Sequence, residues 1–119
     1  MALTITTSKI DEVIVVHLSG AICFGEESSS LRTRVKALLG EFQHIVLDLT
    51  SVTRIDSGGL GTLVALYASA RKIGGDIKLA NPGNRAKEAL QITRLVNVFE
   101  IFGRTDDAVA SFDRATART

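Results

Sequence analysis

The chain has 119 residues, long enough for one domain and too short for two comfortable ones. Fourteen basic residues against thirteen acidic ones give a formal net charge of +1 without a long block of either sign, and with one Tyr and no Trp the chain lacks the basic footprint and aromatic platforms of a nucleic-acid binder. The single cysteine, Cys23, rules out an intrachain disulfide, no cofactor motif or zinc cluster occurs, and no apolar run approaches a membrane span, so a soluble, cytoplasmic protein is expected.

Leu3, Thr4, Ile5 and Thr6 alternate apolar and polar as an edge strand does, and residues 13–18, Val-Ile-Val-Val-His-Leu, form a stronger β-branched strand. The polar interval 8–12 joins them as a hairpin. Alternation puts His17 opposite Val16 and Leu18, as a partly exposed strand histidine rather than a catalytic one. A helix is then expected from near Glu26: acidic residues open it, Leu31, Val35, Leu38 and Leu39 mark a buried face, and Gly40 stops it. Ser28, Ser29 and Ser30 read as polar surface at its start.

Residues 45–49, Ile-Val-Leu-Asp-Leu, are a short apolar run interrupted by Asp48 and read as a buried strand with Asp48 a structural residue near its end. Ile55-Asp56-Ser57-Gly58-Gly59-Leu60-Gly61 then opens an apolar helix over about 57–73. A helix start leaves up to four N–H groups unpaired, so Ser57 sits where a hydroxyl caps them and where the local field favours negative charge. Gly58, Gly59 and Gly61 each cost the helix roughly 0.5–1 kcal/mol relative to Ala, more than a structural cap requires, and are expected to let another molecule approach the backbone. Leu60, Leu63, Val64 and Tyr67 make one stripe, with Leu66 and Ile73 extending it sideways, so some apolar surface near the helix start is expected to stay exposed.

Gly74-Gly75 ends that helix. Residues 76–80 alternate as a strand, Asn81-Pro82-Gly83-Asn84 is a turn, and Ala86, Ala89, Leu90 and Ile92 mark another helix. Residues 98–102 read as a short last strand. Thr105 with Asp106 and Asp107 starts a final helix that docks Ala108, Val109 and Phe112, and residues 114–119 are expected to fray. Strands joined by helices after a hairpin imply a single α/β domain over 1–113 with a mixed sheet of four to five strands and about four helices.

The run Ile-Val-Leu-Asp-Leu, then Ile-Asp-Ser-Gly-Gly-Leu-Gly, then an apolar helix ending in Arg-Lys-Ile-Gly-Gly, resembles the STAS domain, and within it the bacterial anti-sigma factor antagonists. The resemblance implies helices packed mainly on one face of the sheet. It implies a protein without enzymatic activity, whose partner is an anti-sigma factor serine kinase that phosphorylates the residue matching Ser57, with a PP2C-type phosphatase as a further partner; the apolar helix end would serve a homodimer as readily as a hetero-complex. The implied contact surface is Asp56, Ser57, Gly58, Gly59, Leu60 and Gly61, with Cys23 and Phe24. Two positions depart from the family pattern: Gly20-Ala21-Ile22-Cys23 stands where a Gly-Glu-Leu-Asp-like run is common, and Arg94 stands where glycine is usual.

Other chemistries are poorly served. The segment is not a Gly-x-Ser-x-Gly elbow, neither His17 nor His44 lies near Ser57 in sequence, Gly59-Leu60-Gly61-Thr62-Leu63-Val64 lacks the last glycine of a dinucleotide fingerprint, and no Walker sequence exists. Three functions remain: a phosphorylation-switched regulator; a never-phosphorylated scaffold STAS subunit of a lipid-transport ATPase or stressosome-like assembly; and, much less favoured, a nucleotide-binding or hydrolytic protein. Ser57 as an N-cap only is the plain alternative to the switch, and Cys23 is expected to be a small buried hydrophobe.

Overall fold

The computed structural model describes residues 3–117, with side chains described for 3–112. The elements in order are β1 (Leu3–Ile10), β2 (Val13–Ile22), α1 (Glu26–Leu39), β3 (His44–Ile55), α2 (Ser57–Lys72), β4 (Asp76–Ala80), α3 (Asn84–Ile92), a 3-10 turn (Leu95–Asn97), β5 (Ile101–Phe102) and α4 (Thr105–Ala117). They build one five-stranded sheet in the order β1-β2-β3-β4-β5, antiparallel between β1 and β2 and parallel elsewhere. The expected hairpin turns at Asp11, whose φ is 56°.

The sheet is covered on both faces, unequally. Ile14, Val16, Leu18, Ile45, Leu47, Ile77 and Leu79 meet Leu31 and Val35 of α1, Leu60, Leu63 and Leu66 of α2 and Leu90 of α3 in the main core. Val13, Val15, Val46 and Ala80 point the other way and meet Ala108, Val109 and Phe112 of α4 in a smaller one. The unbroken run Val13 to Val16 has this cause: an inner strand buried on both faces has no polar side to alternate with. Lys78, 4% exposed, enters the smaller core and is accommodated there, its Nζ donating to Ser111 Oγ at 2.6 Å, lying 3.4 Å from Glu100 and 4.1 Å from the Phe112 ring centre.

Several boundaries differ from the sequence reading. β3 runs to Ile55, so Asp48 lies inside it, at the last residue paired with β4. The β-branched residues Thr50, Val52, Thr53 and Ile55 carry the extension, paired with β2 through two register shifts around Ser19 and Gly20. The last strand is only Ile101–Phe102, because Arg94 takes a left-handed conformation (φ 62°, ψ 18°) and the chain coils through the 3-10 turn before Phe99 is buried. Arg94 thus holds the backbone geometry for which glycine is suited, and the departure from the family pattern is local. α4 continues through Ala117, across part of the tail expected to fray; residues 118–119 lie outside the described residues.

Candidate functional site at the start of the second helix

The β3 extension delivers the chain to Asp56, whose N–H donates to the Ile22 carbonyl at 3.3 Å, tying the start of α2 to the end of β2. Asp56 is extended (φ −107°, ψ −178°) and is the cap: its Oδ1 accepts from Gly59 N at 2.8 Å. The same carboxylate accepts from Phe24 N, 3.0 Å to Oδ1 and 3.1 Å to Oδ2. Those amides, Gly59 first and then Phe24, hold its pKa below the ordinary carboxylate range against a small opposing effect of burial, with Gly58 N and the Arg54 charge adding to the same direction. The role expected of Ser57 as a cap therefore belongs to its neighbour. An ionised carboxylate in the cap position accepts more strongly than a hydroxyl, and one residue can hold both segments.

Ser57, the first helical residue, is exposed, and its hydroxyl makes no hydrogen bond among the described residues. Relieved of capping, it is a small polar group at the positive end of a helix whose first turn contains no acidic residue.

The glycines divide into two kinds. A Cβ on Gly58 would lie 2.5 Å from Phe24 Cβ, and one on Gly59 would overlap the Ile22 carbonyl oxygen. These two are glycine because the end of β2 and the loop after it already lie against them, so the close approach expected of an outside molecule is made by the chain itself. A Cβ on Gly61 meets nothing within 4 Å, and Gly61 is exposed. Only this third glycine leaves backbone open to a partner.

Leu60 is a further correction. It was expected on the contact surface, but it is 7% exposed and packs in the main core, because α2 turns Leu60, Leu63, Leu66 and Ala70 onto the sheet. Leu66, expected at the side of the stripe, is fully buried, while Val64 and Tyr67 are half-buried. The large apolar group at this site is Phe24, 82% exposed, held by its N–H on Asp56 and against Gly58. Cys23 is half-buried rather than buried, and its carbonyl accepts from Ser28 N and Ser28 Oγ, which starts α1. Arg32 Nη2 donates to Thr62 Oγ1 at 3.3 Å and closes a shallow groove between α1 and α2, with Phe24 and Gly61 on its rim. The sequence reading missed Arg32 and Thr62, which the α1–α2 packing alone brings together.

Neither histidine serves Ser57. His44 stacks on Phe112 with ring centres 4.5 Å apart. His17 donates from Nδ1 to Asp48 Oδ2 at 2.8 Å, and its Nε2 lies 3.0 Å from Ser8 Oγ. That hydroxyl–imidazole–carboxylate order is the order of an acyl-transfer relay, yet it lies on the open sheet beyond α4, with Ser8 exposed and the His17 side chain 41% exposed. Burial raises the Asp48 pKa, but the Thr50 hydroxyl, His17, Thr50 N and Asn81 together bring it below the ordinary value. Among the described residues no group of His, Cys, Asp and Glu is arranged to hold a metal ion, and no helix is long and apolar enough to cross a membrane.

The family described as the STAS domain matches residues 4–108, from β1 through the start of α4 and across the whole Asp56–Ser57 site. The chain belongs to the STAS domain family. Among relatives, it is 33% identical over 124 aligned positions to high affinity sulfate transporter 2 of Stylosanthes hamata, covering 92% of this chain and 19% of that protein. The chain thus spans about a fifth of the length of the first curated relatives it matches. It is 26% identical to the anti-sigma-B factor antagonist of Bacillus subtilis strain 168, over 92% of this chain and 99% of that one. A crystal structure of an anti-sigma factor antagonist from Mycobacterium paratuberculosis superimposes with a TM-score of 0.82 at 25% identity, covering 92% and 93% of the two chains. The STAS fold expected from sequence is thus found, with three helices on one face and α4 on the other.

Proposed function

We infer that this STAS domain is an anti-sigma factor antagonist without catalytic activity of its own. It binds an anti-sigma factor serine kinase through the surface around Ser57, releases the sigma factor, and is switched off by phosphorylation of Ser57. The observation that carries this reading is the division of labour at the start of α2: Asp56 caps the helix, so the adjacent hydroxyl is exposed and unused beside an exposed phenylalanine. The full-length match to an anti-sigma factor antagonist supports it.

A phosphoserine adds about −1.5 to −2 charges. The helix start favours that charge by roughly 0.3–2 kcal/mol, while the ionised Asp56 opposes it by roughly 1–5 kcal/mol at about 6 Å. At this exposed, salt-screened position the repulsion stays near its lower end of about 1 kcal/mol, and there the two largely offset. In a complex they do not: a partner matched to Phe24, Gly61 and a bare hydroxyl must desolvate a dianion, costing several kcal/mol unless it supplies a cation. Ser57→Ala is therefore expected to bind the kinase constitutively, and Ser57→Asp to bind at least about a hundredfold more weakly, from roughly 2.8 kcal/mol. Calorimetry of the two variants against the kinase decides it, and equal affinities would remove the switch.

A second reading has two observations in its favour. Cys23 replaces the acidic residue common in the family, and the same domain forms a fifth of a sulfate transporter relative. A scaffold STAS subunit of a lipid-transport ATPase or stressosome-like assembly would use the same surface with Ser57 never phosphorylated. Mass spectrometry of the native protein separates the two through the presence or absence of a phosphate on Ser57.

A further inference from the structure

Beyond Asp48 no described strand pairs with β3 on its β4 side, because the β3–β4 ladder ends at Asp48 and Ala80. Residues 49–55 continue with β2 alone, and α3 packs against β3 there. A groove runs between Arg54 and Ile55 at the end of β3 and Arg85, Glu88, Ala89 and Ile92 on α3. Those four α3 positions are spaced i, i+3, i+4 and i+7, which is one helical face. It is distinct from the face through Ala86 and Leu90 that enters the core. α3 is therefore a short helix with two faces carrying apolar residues, of which the second is only partly covered: Ile55 and Ala89 pack against the main core and Ile92 stays open.

The partly covered face has a definite chemistry. Ile92 is 74% exposed, with the half-buried Ile55 and Ala89 beside it as apolar ground. Arg54 and Arg85 stand on the two walls against the single acid Glu88, so the groove carries an excess of positive charge. Arg54 and Ile55 lead directly into Asp56 and Ser57, so the β3 wall of the groove runs into the Ser57 site along the chain.

We propose that this groove is a second docking surface, continuous with the Ser57 site, that takes an extended acidic segment of the partner protein. An aliphatic side chain of that segment covers Ile55, Ala89 and Ile92, and its carboxylates meet Arg54 and Arg85. Only the assignment of this segment to the same partner rests on the reading of Ser57 as a kinase-binding switch. Guanidinium–carboxylate pairing supplies orientation and salt-dependent capture, while the apolar contact supplies most of the burial. Phosphorylation of Ser57 leaves this surface intact, so the switched-off protein keeps a weak hold on its partner.

The test is a titration of the isotope-labelled full chain, followed by NMR, with the blocked pentapeptide Ile-Asp-Ile-Glu-Ile and its counterpart Ile-Lys-Ile-Lys-Ile. The acidic peptide is expected to shift signals of Ile55, Ala89 and Ile92 and to bind at least about tenfold more tightly than the basic one. Arg54→Glu with Arg85→Glu, both at exposed positions, should abolish the shifts while the rest of the spectrum confirms the fold; Ser57→Asp should leave them unchanged. Absent shifts, equal shifts with the basic peptide, or shifts that appear on concentrating the protein alone, which indicate a second copy in the groove, would each overturn the proposal. Because the peptide does not touch Ser57, its failure leaves the switch standing, and equal kinase binding by Ser57→Ala and Ser57→Asp removes the switch without touching the groove.

Discussion

α1 and α2 lie side by side on one face of the sheet, both follow the C-terminal end of a parallel strand, and both begin with serines in or near the first turn. Their starts are opposite in kind. α1 has Gly25 before it with no side-chain cap, and its first turn already holds Glu26 and Glu27. α2 has a carboxylate cap outside the helix and no acid in its first turn. At α1 the helix field is satisfied by fixed charge, and Ser28 is buried with its hydroxyl on the Cys23 carbonyl. At α2 the cap takes Gly59 N but the field is only partly used, and the adjacent serine faces solvent. A serine at a helix start is thus a candidate switch only when the cap is another residue and the first turn is free of acids.

The largest expected effect tests whether the glycines of α2 follow from its contact with the end of β2 and the loop after it. Gly59→Ala should cost about 2–3 kcal/mol, because the new methyl meets the Ile22 carbonyl, which is fixed in the ladder and cannot yield as a side chain does. Gly61→Ala, with open space at its Cβ, should instead stabilise by about 0.5–1 kcal/mol. Urea unfolding of the pair measures both. If the two variants lose stability alike, the division of the glycines is wrong.

Next in size is the cap. Asp56→Ala should cost about 1–2 kcal/mol, since it frees Gly59 N and the Phe24 N–H together. Asp56→Asn keeps an acceptor and should lose less. The pH dependence has a definite sign. The folded-state pKa of Asp56 lies below its unfolded value, so its contribution is complete above the ordinary carboxylate range and is lost as pH falls below about 4 and through the folded value. Asp48, lowered in the same direction, adds to the acid loss. Wild type should therefore lose stability between about pH 5 and pH 2 more steeply than Asp56→Asn, and parallel acid titrations would break the assignment.

The sequence revealed the position of this site better than its chemistry. Alternation and turn residues were enough to place the hairpin, α1, α2, β4 and the start of α4, because each is a local pattern. The continuous apolar run Val13 to Val16 already carried the two-sided burial that puts α4 on the second face, although alternation alone would have hidden it. Which of Asp56 and Ser57 caps was not legible, because adjacent residues compete for the same amides and the decision rests on Phe24, 32 residues away in the chain. The burial of Leu60 was equally hidden: a helix apolar over much of its circumference does not show which stripe meets the sheet. A large aromatic in the glycine-bounded loop between β2 and α1 was a visible signal for Phe24, and its near-complete exposure is the part that only the fold supplies.

The smallest expected effect bears most directly on the difference between the two helix starts. Ser29→Asp would place a third acid in the opening turns of α1, three residues after Glu26, where like charges at that spacing destabilise by about 0.2–0.5 kcal/mol. Ser57→Asp would place an acid at the start of α2, where the free field contributes about 0.3–1 kcal/mol and Asp56 takes back a comparable amount. The first variant should lower the midpoint of thermal unfolding slightly. The second should leave the midpoint nearly unchanged while abolishing kinase binding. Raising the ionic strength should shrink the stability difference between them, because both charges are exposed and screened. A Ser57→Asp protein that unfolds much earlier than wild type would mean that the start of α2 cannot carry added charge without cost, and the loss of binding would then follow from a damaged fold rather than from a surface that excludes an anion.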